Sequence, residues 1–444
     1  MTIMKDSGIE WIGQIPKNWI EVPFKAYFTT GKGLSFTKAD LTPQGHAVVS
    51  YGQVHSKANT GTRLDDSLLR YVPDSITENG ESSRMNKGDF IFADTSEDLE
   101  GCGNCVYVDR DIELYAGYHS VTAKPKAQYN NKFFAYYFQT PCWRNQIRSR
   151  VTGIKVFSIS QSIINKTWLF VPPLLTQQKI ANYLDKVCGD IDDMVTLQEQ
   201  MIEELKAYKQ SVITEAVTKG VNPEVPMQHS DIEWIGEIPK HWRIIKMRRC
   251  VKTIGDVDHY MPKSVEKGIP YIMTRNLADK TSMILLSQCK QISCDDFSNL
   301  SKKIKLEKND VVYARYATIG TVCLVDTDDD MIVSYSCVII KPSSCIYSSY
   351  LYYFLKSKTF EEEVLQFVNS NIQGNIGIDS LYKTKILTPP LSEQQSIASY
   401  LDDKCSEIDS LIAIKKTKIE ELKEYKKSII YEYVTGKKEV PYGD

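Results

Sequence analysis

The sequence predicts an α/β fold built as a tandem, pseudo-twofold repeat. Two mixed α/β domains are joined by two long antiparallel helices in coiled-coil contact. Three observations predict it. A block at Ile9 to Trp19, Ile-Glu-Trp-Ile-Gly-Gln-Ile-Pro-Lys-Asn-Trp, returns with two changes at Ile232 to Trp242, a shift of 223 positions. A second block, Pro172 to Asp185, returns at Pro389 to Asp402, a shift of 217. After each double proline comes a proline-free stretch with apolar residues at heptad spacing. The copies match at their edges and differ between them, so one frame carries two different interiors.

The elements follow in order. Residues 1–175 form the first domain. Val48-Val49-Ser50-Tyr51, Asp89 to Ala93 and Cys105 to Val108 read as strands, short apolar runs between Gly, Asn and Asp. Asn131 to Arg150 reads as one helix with core positions Phe134, Tyr137 and Phe138. Residues 176–222 form the first long helix, with Thr176 as its N-cap and Gly220 and Pro223 ending it. Its apolar seam is read as Ile180, Leu184, Val187, Ile191, Met194, Met201, Leu205, Tyr208 and Val212, broken only at Gln198. At 1.5 Å per residue such a helix is ~60 Å long. Residues 223–391 repeat the domain: Val311 to Arg315 takes the place of Phe90 to Asp94, and Tyr347 to Phe367 is the matching helix. Residues 392–444 hold the second long helix, opened by Ser392, with its seam at Ile397, Leu401, Ile408, Leu411, Ile419, Leu422, Tyr425 and Ile429. Leu184, Ile191, Leu205, Leu401, Ile408 and Leu422 are the residues expected to pack the helices together. Each helix follows its own domain, so antiparallel packing predicts a domain at either end of a shared rod.

Composition bounds the function. A 42% hydrophobic and 25% charged chain is of the soluble globular class. No apolar run reaches the ~18–20 residues of a membrane span, so no membrane partner and a cytoplasmic location are expected. Eleven cysteines, an odd and scattered set, read as buried free thiols. The net charge of −2 does not by itself announce nucleic acid, because only the contacting face must be basic.

Catalytic and cofactor signatures are missing. Cys102-Gly103-Asn104-Cys105 has no second pair to complete a zinc site, so it reads as a turn and no metal is expected. Glu204-Leu205-Lys206 and Glu421-Leu422-Lys423 resemble the end of a nuclease metal signature, but they flank seam leucines and read as helix surface. No phosphate loop and no glycine-rich turn for S-adenosylmethionine is present. Non-catalytic recognition remains. In the first interior Tyr51, Gln53, His55, Lys57 and Arg63 are candidates for DNA contact, and in the second Thr274, Arg275 and Asn276. Arg pairs bidentately with guanine, and Asn or Gln with adenine, in the major groove. Lys155 lies in the glycine-bearing stretch Gly153 to Phe157; Asn371 and Gln373 lie in its counterpart, where glycine lets a backbone approach a ligand.

The two repeated blocks, each followed by a long helix ending near Lys-x-Ser-Val/Ile-Ile, resemble the specificity subunit of type I restriction-modification systems over essentially the full length. The resemblance implies that each globular part is a target recognition domain and that the long helices are conserved spacers. It implies a role in phage defence and binding to a bipartite site in double-stranded DNA with a nonspecific gap. It also implies recruitment of two methyltransferase subunits and two restriction subunits. The chain itself would be no enzyme and hold no cofactor: S-adenosylmethionine, ATP and Mg belong to the partners. Arg315-Tyr316-Ala317-Thr318-Ile319-Gly320 matches an Arg-x-x-x-Ile-Gly stretch common in such domains, adding Arg315 and Tyr316 to the DNA-contact candidates. The first half has the acidic Asp94 to Gly101 there. Accepting from cytosine N4, touching the methyltransferase and lying away from DNA all stay open for that loop.

Overall fold

The computed structural model describes residues 3–9, 12–127, 129–316, 318–367 and 374–441. Glu10 and Trp11 of the opening block and the candidates Asn371 and Gln373 lie outside the described residues. The chain divides into two compact units, Met1–Gln198 with Thr417–Asp444, and Glu199–Lys416.

In the first unit β1 (Phe28–Lys32), β2 (Phe90–Ala93), β3 (Cys105–Tyr107) and β4 (Ser120–Pro125) form an antiparallel sheet in the order β3-β2-β4-β1. Its side chains alternate, as the two-residue strand period demands. Phe90, Phe92, Cys105 and Tyr107 enter the core beneath the helices, while Ile91, Ala93 and Val106 enter a second core on the other face. That second core belongs to an outer lobe whose sheet includes His46–Val49 paired in parallel with Leu114–Ala116. Beneath the central sheet lie α1 (Asn131–Tyr137) and α2 (Pro141–Arg148). The single helix expected over Asn131 to Arg150 is therefore two. Pro141 has no N–H to continue α1, and its fixed φ suits the first turn of a new helix, while the Thr140 hydroxyl donates back to Tyr137 O at 2.7 Å and closes α1. The strand expected at Val48 to Tyr51 stops at Val49, because Ser50 opens a short helix, Tyr51–Val54, with its N–H donating to the Gln53 side chain at 3.2 Å.

The long helix α3 (Leu174–Lys219) begins before Thr176, directly after the double proline. Pro173 accepts from Gln177 N at 3.0 Å, so the proline carbonyl starts the ladder and Thr176 caps nothing.

The second unit repeats this plan. Its sheet is β5 (Val251–Gly255), β6 (Val311–Ala314), β7 (Val322–Leu324) and β8 (Cys337–Pro342), ordered β7-β6-β8-β5, the order of the first unit. Again Val311, Tyr313, Val322 and Leu324 face the helices, and Val312 and Cys323 face an outer-lobe core. The helix expected over Tyr347 to Phe367 is also two, α4 (Ser348–Lys356) and α5 (Lys358–Leu365). Ser357 breaks it by turning its side chain to accept from Phe360 N. The second long helix, α6, spans Leu391–Val434.

Each unit contains the start of one long helix and the end of the other. In the first, Ile180, Leu184, Cys188 and Ile191 of α3 share a core with Leu422, Ile429, Ile430 and Tyr433 of α6. In the second, Val212, Ile213 and Val217 of α3 share one with Ile397, Leu401 and Cys405 of α6; Ile408 is also buried. Within each unit the segments run antiparallel: Tyr183 meets Tyr433 and Asp192 meets Lys426, while Met201 meets Lys415 and Lys209 meets Asp409. In the Asp192–Lys426 and Asp409–Lys209 ion pairs, both 2.7 Å, the two aspartates stand 217 positions apart and so do the two lysines, so each unit carries its own copy of one contact.

The seam itself departs from expectation. Met194, Tyr208, Leu411 and Tyr425 are 52%, 57%, 42% and 57% exposed. The covered stripe passes instead through Val195, Gln198, Ile202, half-buried Leu205, Lys209 and Val212, and through Ile412, Lys415, Ile419, Leu422, Lys426 and Ile429. Steps of three and four continue unbroken, with polar Gln198, Lys209, Lys415 and Lys426 inside them. An apolar residue one position off the stripe looks like a seam residue only when those polar positions are discounted.

The repeated blocks owe their recurrence to anchoring. The first glutamine of the Gln-Gln pair is buried in both units. Gln177 donates to Pro172 O at 2.9 Å and accepts from Asn130 N at 3.2 Å; Gln394 donates to Pro389 O at 2.9 Å and Cys345 O at 3.1 Å and accepts from Tyr347 N at 2.7 Å. The aspartate closing the block accepts from a tyrosine hydroxyl in each unit, Asp185 from Tyr136 at 2.6 Å and Asp402 from Tyr353 at 2.9 Å. Trp19 lies beside Gly436, just past α6, and Trp242 beside Gly220, just past α3. Both glycines have φ near +70 to +79°, where a side chain would be strained as well as crowded by the ring. Replacing Gln394 with alanine is expected to cost about 1–3 kcal/mol, since it strands the buried Pro389 carbonyl and removes the partner of two part-buried backbone groups. Hydrogen exchange across the second unit measures it, and a variant as protected as the parent refutes the anchoring role.

Candidate nucleic-acid interface

Burial sorts the sequence-chosen residues that the structure describes. In the first unit Lys57, Arg63 and Lys155 are exposed. Tyr51 and His55 line a cavity of about 820 Å³ with His119, Arg144, Asn104 and the acidic Glu97, Asp98 and Glu100. Tyr51 packs edge-on to Tyr118 and His119, at 5.8 and 5.6 Å between ring centres. His55 is held at both nitrogens, Nε2 to Thr95 O at 2.8 Å and Nδ1 to Asn104 Nδ2 at 3.2 Å. A carbonyl on one side and an amide donor on the other fit the neutral Nε2–H tautomer. Its ring therefore pins the start of the acidic loop. That loop is further fixed by Thr95–Ser96 pairing with Phe157–Ser158, so the strand end and the Gly153 stretch are one feature.

In the second unit Arg275 is exposed, and Thr274 and Asn276 are half-buried in a single 3-10 turn. Asn276 Oδ1 accepts from Met273 N at 3.2 Å, as Gln53 Oε1 accepts from Ser50 N at 3.2 Å in the first unit. These residues sit 223 positions apart and do the same local job, so both side-chain oxygens face their own turns. Arg315 is 7% exposed. Its guanidinium bonds the Asp256 carboxylate, which Lys303 also meets at 2.6 Å, and lies 3.3 Å from His259 Nε2 and 4.7 Å over the ring of Tyr316. His259 in turn stacks on Tyr335 at 4.7 Å. The backbone of Arg315 holds the following loop, accepting from Ile376 N at 3.2 Å; Asp94 accepts from Ile159 N at 2.7 Å at the equivalent place. Asp94 faces His119, 3.3 Å away. The structure thus places an acid–imidazole pair in one unit where the other has an arginine–carboxylate pair. Asp256, His259, Lys303 and Tyr335 were not chosen from sequence. The only signal was the buried arginine's need for a counter-charge.

Among the described residues no group of three or more His, Cys, Asp and Glu side chains is gathered to hold a metal. Cys102 and Cys105 are buried, and burial pushes the Cys105 thiol up to about 12, an inert state. Two cysteines, Cys294 and Cys345, are exposed rather than buried. Glu204 accepts from Gln200 at 2.9 Å and Lys206 pairs with Glu203 at 2.7 Å, ordinary helix-surface partners. Among the described residues no helix is long and apolar enough to cross a membrane.

A family model described as the type I restriction modification DNA specificity domain matches residues 16–207 and again 251–424. The chain belongs to this family. The two matches are the two halves of the repeat, each with its own recognition domain and much of its long helix. The specificity subunit of the type I restriction enzyme MjaVIII from Methanocaldococcus jannaschii is 26% identical over 66% of this chain and 67% of its own length. A putative MjaX specificity subunit from the same organism is 23% identical over 96% and 95%. The EcoKI specificity subunit of Escherichia coli is 21% identical over 68% and 62%. A solved chain from a study of complex assembly and conformational transition of the type I restriction-modification system shares the fold, with a TM-score of 0.67 over 95% of this chain and 98% of that one at 16% identity. Such specificity subunits are the non-catalytic components of their systems.

Proposed function

We propose that this chain selects a bipartite site in double-stranded DNA, with each recognition domain reading one half-site. The observation that carries the reading is the contrast between frame and lobe. Sheet order, Gln177 and Gln394, Asp185 and Asp402, and the cross-helix ion pairs recur position for position. The outer lobes differ in strand number, charge and side chains. Exposed Lys57, Arg63 and Lys155 suit phosphate or base contact in the first half, and Arg275 in the second. Tyr51 and the His55 loop shape the first reading surface. Tyr316, Arg315 and its Asp256 partner shape the second, Arg315 from within.

The helices recruit two methyltransferase subunits, and through the assembled complex two restriction subunits. Support comes from apolar side chains left open at equivalent places: Met194 and Leu411, Leu197 and Ile414, Tyr208 and Tyr425 are all 42–65% exposed. S-adenosylmethionine, ATP and Mg act on those partners.

Adenine-methylation mapping of a genome exposed to this chain and its methyltransferase subunit tests the proposal. One bipartite motif, lost when the chain is omitted, is expected. Arg275→Ala should weaken selection at the second half-site alone, by about 1–3 kcal/mol per base contact. A motif that persists without the chain, or an equal loss at both half-sites, sinks it.

A further inference from the structure

The second unit ties its outer lobe to the long helices through one turn. After Arg275 the chain comes back along the edge of the central sheet, where Asp279 O accepts from Leu324 N at 2.9 Å and Lys280 bridges Leu324 in parallel. There Asp279 and Lys280 line one cavity with the helix residues they meet. Asp279 reaches Lys356 of α4 at 2.5 Å and Lys209 of α3 at 3.7 Å. Lys280 reaches Asp402 of α6 at 3.2 Å. The partners are held in turn: Lys209 by Asp409 at 2.7 Å, Lys356 by Tyr352 Oη at 2.9 Å, and Asp402 by Tyr353. The side chains of Lys209 and Lys356 are only 16% and 19% exposed, so these contacts are less screened than surface pairs. Burial opposes the charge on Asp279, but Lys356 and Lys209 beside it hold its carboxyl below the usual range. In the first unit the carboxylate equivalent to Asp402, Asp185, is met at 3.2 Å by Lys132 of α1, which lies beneath the central sheet and not in the outer lobe.

We infer that Asp279 and Lys280 are positioning residues that clamp the second reading lobe onto α3 and α6 and so fix where the second half-site is read. The inference rests on the bipartite reading proposed above. A turn that grips both helices sets the lobe's distance along them. The bases are left to other side chains, since both clamp residues are engaged with the scaffold.

The test uses the full chain with its methyltransferase subunit and compares the parent with the double variant Asp279→Asn, Lys280→Gln and the conservative Asp279→Glu and Lys280→Arg. Methylation is mapped, and hydrogen exchange is followed over residues 273–289. The double variant should keep both half-site sequences but methylate sites whose gap is one base pair longer or shorter about tenfold more, the change that ~1.4 kcal/mol makes in an equilibrium. Exchange in the turn should quicken while the cores stay protected, and the conservative variants should restore strict spacing. Faster exchange with spacing still strict overturns the inference alone, as does a changed second half-site sequence, which would make the turn a reader. A parent chain that yields no bipartite motif overturns the proposed function and the inference with it.

Discussion

Trp143→Ala is expected to destabilise the first unit by about 3–5 kcal/mol, the range for emptying a buried tryptophan site. Trp143 is fully buried, packs at a tilt on Phe138 at 4.5 Å and Phe92 at 5.3 Å, and donates its indole N–H to Thr167 Oγ1 at 3.0 Å. Truncation opens a void between α2 and the central sheet. The second unit shows what the site tolerates, since Phe360 occupies the position 217 residues on and meets Tyr313 edge-on at 5.9 Å. Trp143→Phe should therefore cost far less than alanine, mainly one hydrogen bond of about 1 kcal/mol and some packing. Proteolysis mapped along the full chain reads the effect. Cuts in the first recognition domain, with the second domain intact, are expected, together with loss of first half-site selection. Equal opening of both units would contradict the independence of the two cores.

A matched insertion in the helices should change the spacing of the recognised site. Seven residues added to α3 after Gln198, and seven to α6 after Lys415, preserve the steps of three and four in both stripes. Each helix lengthens by about 10 Å, near three base-pair steps of 3.4 Å. If α3 and α6 set the gap between half-sites, the methylated motif should gain about three base pairs of gap and keep both half-site sequences. A fully active complex with its original gap would show that the helices are not the measure of spacing.

The frame was legible in the sequence because it was written twice. The shifts of 223 and 217 place equivalent strands, helices and glutamines, and the sheets have the same order. What escaped depended on neighbours distant in sequence. The stripe through Gln198 and Lys209 looks polar until Asp409 is set beside Lys209. The break at Pro141 was written locally and was overridden by the apolar periodicity on either side of it. Gln53, Asn276 and His55 were chosen for their chemistry, but a residue type does not tell whether a side chain points to a ligand or back to its own turn. Arg315 carried the right motif, and its burial followed from Asp256, 59 positions earlier.

The exchange of helix ends between units has a consequence during synthesis. The first unit is completed by residues from Thr417 onward, which leave the ribosome about 220 residues after Gln198. At about 5–20 residues per second that is a wait of roughly 10–45 s. Through that interval the side of α3 that Leu422, Ile429, Ile430 and Tyr433 will cover faces water or a chaperone, while its other side packs on the first domain. The first domain to be made is thus the last to be finished, and its exposed helix is where a nascent chain of this protein would first meet another copy of itself.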